Sequence, residues 1–292
     1  MSGPDGFGAF ALRVRQAVEE FLARAFRAWP DTTVRQAAMY AATDGGHRWR
    51  AMAAIAAGAI FDRGAFEICL PLACGAELAH TASLVLDDLP SMDNGHLRRG
   101  KPCVHLAFPR WAVDMAPVFL VTMAYEISLN NPLAPAERRV VAAVELSRAG
   151  LRMTAGQEHD LTQRAAAETE EGLLERHRLK TGEAFAAAAK GGAILCGASA
   201  EEVQALCECG MKLGVSYQIA DDVADRVAAA EEVAKSVNRD CAKVTFVDLF
   251  GVEGARAQAG RYRGESLAAL DAFGPQADPL RTLVSRACCL EP

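Results

Sequence analysis

The sequence predicts an all-α fold in a single domain, and three observations carry that prediction. Apolar residues make up 51% of the 292 positions and recur at helical spacing almost throughout. Ala, Leu and Glu, all good helix formers, are abundant. No segment alternates apolar and polar residues convincingly enough to read as a strand. Length alone admits roughly two domains of ~100–200 residues, but the uniform texture favours one domain over 1–292, with a core of considerable size.

Taken in order, residues 1–9 are Gly-rich and expected to fray, and Phe10–Trp29 reads as an amphipathic helix stopped by Pro30. Asp31 or Thr32 can cap the next helix, Thr33–Ala42. A glycine turn follows, Thr43-Asp44-Gly45-Gly46-His47-Arg48-Trp49-Arg50, and leads into an apolar helix from Ala51. Such a turn can offer backbone N–H groups and side-chain cations to an anion, although a plain helix–helix turn has the same sequence features. Phe66–Leu86 is a further helix, carrying Glu77 and His80 on its last turns. Val113–Leu129 ends at Asn130-Asn131-Pro132, and Ala136–Leu151 follows. In the stretch Gly150–Leu161, Gln157 and Asp160 at i,i+3 can help shape a cavity, although an exposed polar turn fits the same residues equally well. An acidic linker, Glu168–Glu171, precedes the helix Leu173–Leu195, which contains Lys180-Thr181-Gly182. A glycine inside a helix costs about 1 kcal/mol against Ala, so a kink or a close approach is expected at Gly182. The remainder, Val252–Cys289, is one or two helices broken at Gly274-Pro275.

Two acidic runs stand where apolar helices leave the core. Asp87-Asp88-Leu89-Pro90-Ser91-Met92-Asp93 follows Leu78–Leu86, with Arg98-Arg99-Gly100-Lys101-Pro102 close behind. Gln218, Asp221, Asp222 and Asp225 follow Met211–Ala220, and Asp221 and Asp225, at i,i+4, share a helix face. Either run alone serves as a solvated turn. Together they read as a clamp, because dense carboxylates repel one another and lose hydration on burial unless something positive lies among them. Oxygen-only ligands suit Mg2+, an ion usually shared between a few carboxylates and substrate phosphates, which neighbouring arginines also hold. Lys235 and the Asn238–Thr245 stretch can close over such a phosphate.

Net charge −6 and a pI near 5.6 offer no basic patch to recommend nucleic acid. The uncharged apolar runs fall short of the ~18–20 residues of a bilayer span, and the N-terminus lacks a basic-then-apolar signal, so no membrane span and a cytoplasmic location are expected. The nine cysteines have neither zinc nor disulfide spacing and read as small buried thiols.

With those blocks in hand, the chain from about Arg35 onward resembles the trans-isoprenyl diphosphate synthases, particularly geranylgeranyl and farnesyl diphosphate synthases. Residues Leu78–Asp93 with Arg98–Pro102 look like the family's first aspartate-rich motif in its longer form, and Gly214–Asp225 look like the second. Gly156-Gln157 with Asp160, Lys180-Thr181-Gly182, and Lys235 with Asp240 and Lys243 match further blocks in order. The resemblance implies an isoprenoid-synthase fold around a deep apolar cavity, a homodimer, and isopentenyl diphosphate plus an allylic diphosphate as substrates. It implies that Asp87, Asp88, Asp93, Asp221 and Asp225 hold Mg2+ on the allylic diphosphate, assisted by Arg98, Lys180 and Lys235. Arg50, His80 and Arg99, with His47 in the glycine turn, are implied for the isopentenyl diphosphate, and Thr181 and Gln218 for the developing allylic cation.

The chain departs from the family pattern in four places. Gly45-Gly46-His47-Arg48-Trp49-Arg50-Ala51 stands for Gly-Gly-Lys-Arg-x-Arg-Pro, Ala116-Pro117 for a Gly-Asp, Gly95-His96 for acids, and Ala234 for a glycine. Imidazole is a weaker phosphate holder than ammonium, which a terpene cyclase on the same scaffold would tolerate. A noncatalytic partner subunit is the third reading, and the retained acidic motifs speak against it. Small residues at Ser83 and Ala82, a turn above Asp87, imply a twenty-carbon product, with Phe119 and Met123 as candidate floor residues.

Overall fold

The computed structural model describes residues 4–43, 45–162, 169–233 and 244–288. Within them the chain is all-α apart from one small hairpin, as the apolar periodicity implies. In order the helices are α1 (Pro4–Arg27), α2 (Thr33–Ala42), α3 (Trp49–Gly58), α4 (Ala65–Asp87), α5 (Val104–Ala107), α6 (Arg110–Leu129) and α7 (Ala136–Thr162). Then come α8 (Glu170–His177), a π-turn (Arg178–Gly182), α9 (Glu183–Cys196), α10 (Ala200–Val233), α11 (Phe246–Ala268), a 3-10 turn (Pro275–Ala277) and α12 (Asp278–Ala287). Strands β1 (Leu97–Arg98) and β2 (Lys101–Pro102) pair antiparallel between α4 and α5.

Several local expectations change. The first helix starts at Pro4 and not at Phe10, because Phe7 is buried, lies 6.0 Å from the Phe10 ring and receives Arg286 of α12 over its face. Thr32 caps α2 by accepting the Arg35 N–H at 3.2 Å, while Asp31 binds the side chains of Arg35 and Gln36. No polar turn forms at Gly150–Leu161, and α7 runs through the stretch unbroken. Its Gly156 serves close packing: a Cβ there would lie 2.7 Å from the Lys180 nitrogen. The hairpin, two residues per strand, is too short to show alternation in sequence, and its turn residues Arg99 (φ 54°) and Gly100 (φ 77°) have the paired positive φ of a type I′ turn.

The centre is built from α3, α4 and α9, with α3 buried from Arg50 to Gly58. A helix enclosed by other helices has little room for side chains, which explains the alanine-rich α3 and α9. At Gly192 of α9 the two backbones meet, since a Cβ there would sit 1.9 Å from the Ala54 carbonyl oxygen. Such tight packing on one side leaves space on the other, between α4, α6 and α7. No uncharged apolar run reaches the length of a span, but helical windows that carry one or two charges do. Helices α4 and α6 are long and apolar enough by length and composition to cross a bilayer, although 67% and 50% of their apolar windows are buried inside the protein.

Candidate active site

Helices α3, α4, α6, α7 and α10, with the π-turn, enclose a cavity of about 1250 Å3. Asp87, the last residue of α4, and Asp221 of α10 both line it. Asp87 sits at the carbonyl pole of its helix, where a cation is favoured. Burial raises its carboxyl above the usual range, Lys180 opposes the rise, and the exposed Asp93 adds to it. At Asp221, which solvent reaches through the cavity, burial followed by the charges of Asp225 and Asp222 pushes the carboxyl up to about 6. Among the described residues, no three acidic, histidine or cysteine side chains form a ready cage for an ion. The donor set, hard oxygens held at unfavourable mutual charge, fits a divalent ion that takes its remaining ligands from a bound molecule.

Each aspartate pair is split by the helix. Consecutive residues point about 100° apart, so one member faces the cavity and the next turns away. Asp88 is buried outside the cavity and takes both ends of the Arg98 guanidinium, Nε and Nη2 each donating at 2.7 Å. In this structure the charge of Asp88 is matched by Arg98, apart from Asp87. Asp222 accepts from Gln218 Nε2 at 3.2 Å and lies 3.3 Å from His177 Nε2. Asp93 and Asp225 are exposed and stand outside the cavity wall.

Lys180 and Thr181 reach the cavity through the π-turn, where the Glu183 N–H bonds the carbonyl of Arg178, five residues back. The extra residue in that turn settles what Gly182 is for: a Cβ on it would meet Met211 Sδ at 2.5 Å, and one on Gly214 would meet Gly182 Cα at 2.6 Å. The π-turn thus lies directly on α10. Thr181 Oγ1 donates to Gln218 Oε1 at 2.8 Å, and Lys180 Nζ donates to Asp160 Oδ2 at 2.7 Å. Gln157 also lines the cavity. Lys235, Asp240 and Lys243 lie outside the described residues.

A second part of the wall is cationic. Arg50 is only 8% exposed and stacks over the Phe185 ring at 4.9 Å, yet its buried Nε has no hydrogen-bond partner. Burial lowers its pKa. Arg99, brought in by the hairpin, donates to the Gly45 carbonyl at 3.1 Å and is likewise lowered by burial. Burial and the nearby arginines push His80 well below its ordinary value, so it is a neutral hydrogen-bonding group at neutral pH. His47 stacks on Trp49 with ring centroids 5.4 Å apart. Arg48, by contrast, serves the fold: it pairs with Glu19 and Glu77 and donates to the Ala42 carbonyl. Glu77 also accepts the Ala51 N–H at 3.0 Å, so the acid buried beneath this wall is already engaged.

The rest of the cavity is apolar. From α4 come Ala76, Ala79, Ala82 and Ser83, and from α6 come Pro117, Val121 and Tyr125 at i, i+4, i+8. Phe119 and Met123 do not line it; Phe119 stacks on Phe26 of α1, and Met123 is buried. Tyr125 reaches α7, where a Cβ on Gly150 would stand 4.0 Å from its hydroxyl. Nothing in the sequence showed which face of α6 meets the cavity. Arg15 of α1 also lines the cavity, and nothing in the sequence marked it.

The family profile described as polyprenyl synthetase matches residues 31–263. Geranylgeranyl pyrophosphate synthase 9, chloroplastic, of Arabidopsis thaliana is 33% identical over 97% of this chain and 81% of its own length. A geranylgeranyl diphosphate synthase of Cyanophora paradoxa is 32% identical over 91% of this chain and 90% of its own. Among solved structures, an FPP/GFPP synthase from Zymomonas mobilis superposes with TM-score 0.85 at 29% identity, covering 98% of this chain and all of the other. A long match at this identity, with both acidic motifs in the wall of one cavity, leaves one assignment: the chain belongs to the polyprenyl synthetase family.

Proposed function

We propose that the protein is a Mg2+-dependent trans-prenyltransferase that joins isopentenyl diphosphate to an allylic diphosphate, with geranylgeranyl diphosphate as its product. One observation carries this reading: a single cavity has carboxylates at Asp87 and Asp221, unsatisfied cation capacity at Arg50, and an apolar recess behind them. The names of the similar synthases support the twenty-carbon product. Asp87 and Asp221, with Asp93 and Asp225 nearby, would hold Mg2+, which when bound draws charge off the departing diphosphate. Lys180, steadied by Asp160, adds a fixed positive charge beside the leaving group. Thr181 and Gln218, locked to each other, present oxygen lone pairs to the developing allylic cation. The apolar wall keeps water from quenching it. Arg50 and Arg99 orient the isopentenyl diphosphate so that its double bond attacks, and the released diphosphate is positioned to take the proton that is lost. Incubation with Mg2+ and an allylic diphosphate, with and without isopentenyl diphosphate, tests the reading. Elongated diphosphate supports it, a hydrocarbon or alcohol formed from the allylic substrate alone indicates a cyclase, and no turnover indicates a noncatalytic subunit.

The glycine turn supplies a further test. Gly46 has φ 91°, and a Cβ on it would lie 2.6 Å from Arg99 Nη2. Gly46→Ala is therefore expected to displace the Arg99 guanidinium and raise the KM for isopentenyl diphosphate about tenfold, roughly the worth of one charge-assisted hydrogen bond. The allylic KM stays near wild type, and steady-state kinetics with each substrate varied in turn read the difference. Equal shifts in both constants would remove Arg99 from the isopentenyl site.

The reading extends to a cytoplasmic homodimer with no membrane span, in which α4 and α6 are core helices. Free thiols throughout the described residues support a reducing compartment. Trp111, Met115 and Val118 of α6 and Val140, Val141 and Val144 of α7 are exposed, an apolar face that a second copy would cover. Light scattering should give twice the chain mass, and Val118→Asp with Val144→Asp should halve it.

A further inference from the structure

The cavity is also lined by an arginine that lies before the matched family segment. Arg15 stands on α1, outside residues 31–263, and lines the same cavity as Gly45, Gly46, His47 and Arg50. Helix α1 is held there by its packing on α3 and by the Glu19–Arg48 pair. That pair has a consequence for Arg15. Glu19, at i+4, is the acid a surface arginine would ordinarily use, but Glu19 is turned to Arg48. Arg15 is left exposed, with no ion pair or hydrogen bond to any described residue.

Arg15, Arg50 and Arg99 all line the cavity. Arg50 has a buried Nε without a partner, and among the described residues Arg99 bonds only a backbone carbonyl. Glu77, which lines the same cavity, is taken by Arg48 and the Ala51 N–H. Guanidinium groups that line one cavity suit a multivalent anion, because the forked donors of arginine match phosphate oxygens. At the turn itself His47 provides an imidazole, which carries no permanent charge.

We propose that Arg15 is a substrate-binding residue that grips the diphosphate of isopentenyl diphosphate and supplies the permanent positive charge that position 47 lacks. This rests on the prenyl-transfer reading above. It assigns α1 a part in selecting the homoallylic substrate, in addition to its packing role.

The test uses the full chain as wild type, Arg15→Gln, Arg15→Lys, His47→Lys, and Arg15→Gln combined with His47→Lys. Arg15→Gln is expected to raise the KM for isopentenyl diphosphate about tenfold, the usual order for a charge-assisted contact. The allylic KM and kcat should stay within about twofold, a split that a structural defect would not produce, and Arg15→Lys should recover most of the loss. In the double variant the new ammonium should restore affinity, so the two changes are not additive. A second readout needs no turnover: titration of metal-free protein in EDTA with inorganic pyrophosphate, followed by the fluorescence of the tryptophans, of which Trp49 lines this cavity. Affinity should fall about tenfold in Arg15→Gln, with an unchanged melting temperature. Unchanged isopentenyl KM and pyrophosphate affinity, or equal losses for both substrates, would overturn the proposal. Wild-type protein that binds pyrophosphate through Arg15 but makes no elongated product would overturn the prenyl-transfer reading and leave the anion contact standing.

Discussion

Asp221→Asn is expected to lower turnover by about 10²–10³-fold while making the metal-free protein more heat-stable at neutral pH. The first effect follows from removing a charged ligand where leaving-group charge develops. The second follows from the crowding of Asp221 by burial and by Asp225 and Asp222, which moves its carboxyl from 3.8 to about 6. The folded state therefore holds a proton there more tightly than the unfolded chain does. Below about pH 4 both states are protonated and the crowding costs nothing. As pH rises from about 4 to about 6 the unfolded chain releases its proton while the folded state still holds one, so the folded state loses stability that the Asn variant keeps. Solvent access through the cavity limits the effect to about 1 kcal/mol, or roughly 2–4 °C in melting temperature. Differential scanning calorimetry in EDTA at pH 4.5 and 7.5 should show the variant ahead at the higher pH, with a clearly smaller lead at the lower. Asp87→Asn should lose turnover similarly, and near-normal turnover in both variants would sink the assignment of the two aspartates.

Ser83→Phe should shift the main product from twenty carbons to fifteen, and Tyr125→Ala should extend it past twenty. A tail anchored at Asp87 runs back along α4, where Ser83 lies about 6 Å deeper, Ala79 about 12 Å and Ala76 about 16 Å. All of these side chains are small, and all line the cavity. A phenyl ring at Ser83 projects into space that the tail needs, and overpacking of that kind is costly. At the far side Tyr125 leans from α6 onto Gly150 of α7, so its removal opens the recess between those helices. Chromatography of the dephosphorylated products decides both. Unchanged lengths in Ser83→Phe would mean the tail follows another wall, and unchanged lengths in Tyr125→Ala would place the floor elsewhere.

The all-α class, several helix boundaries and the site's chemical character were legible in the residues themselves, because they depend on local properties. Thr33–Ala42 was read with its bounds, since a cap and a glycine turn mark its ends. The acidic runs mark the place proposed for a cation, because carboxylates at such density repel one another without one. Which carboxylates face the cavity was not legible. Asp87 and Asp88 are chemically equivalent in sequence, and only the end of α4 and the arrival of Arg98 on the hairpin separate a cavity acid from a buried ion pair. The glycines misled for a related reason. Gly150 and Gly156 carry a turn signal, yet they lie in a continuous α7 as contact points for Tyr125 and the Lys180 backbone. Arg15 and Tyr125 show the same limit from the other side: an arginine on an amphipathic helix and a tyrosine on an apolar one have unremarkable local patterns. What they do depends on the helix rotations and spacings set by backbone contacts such as Gly192 on Ala54, and those contacts join segments far apart in the chain.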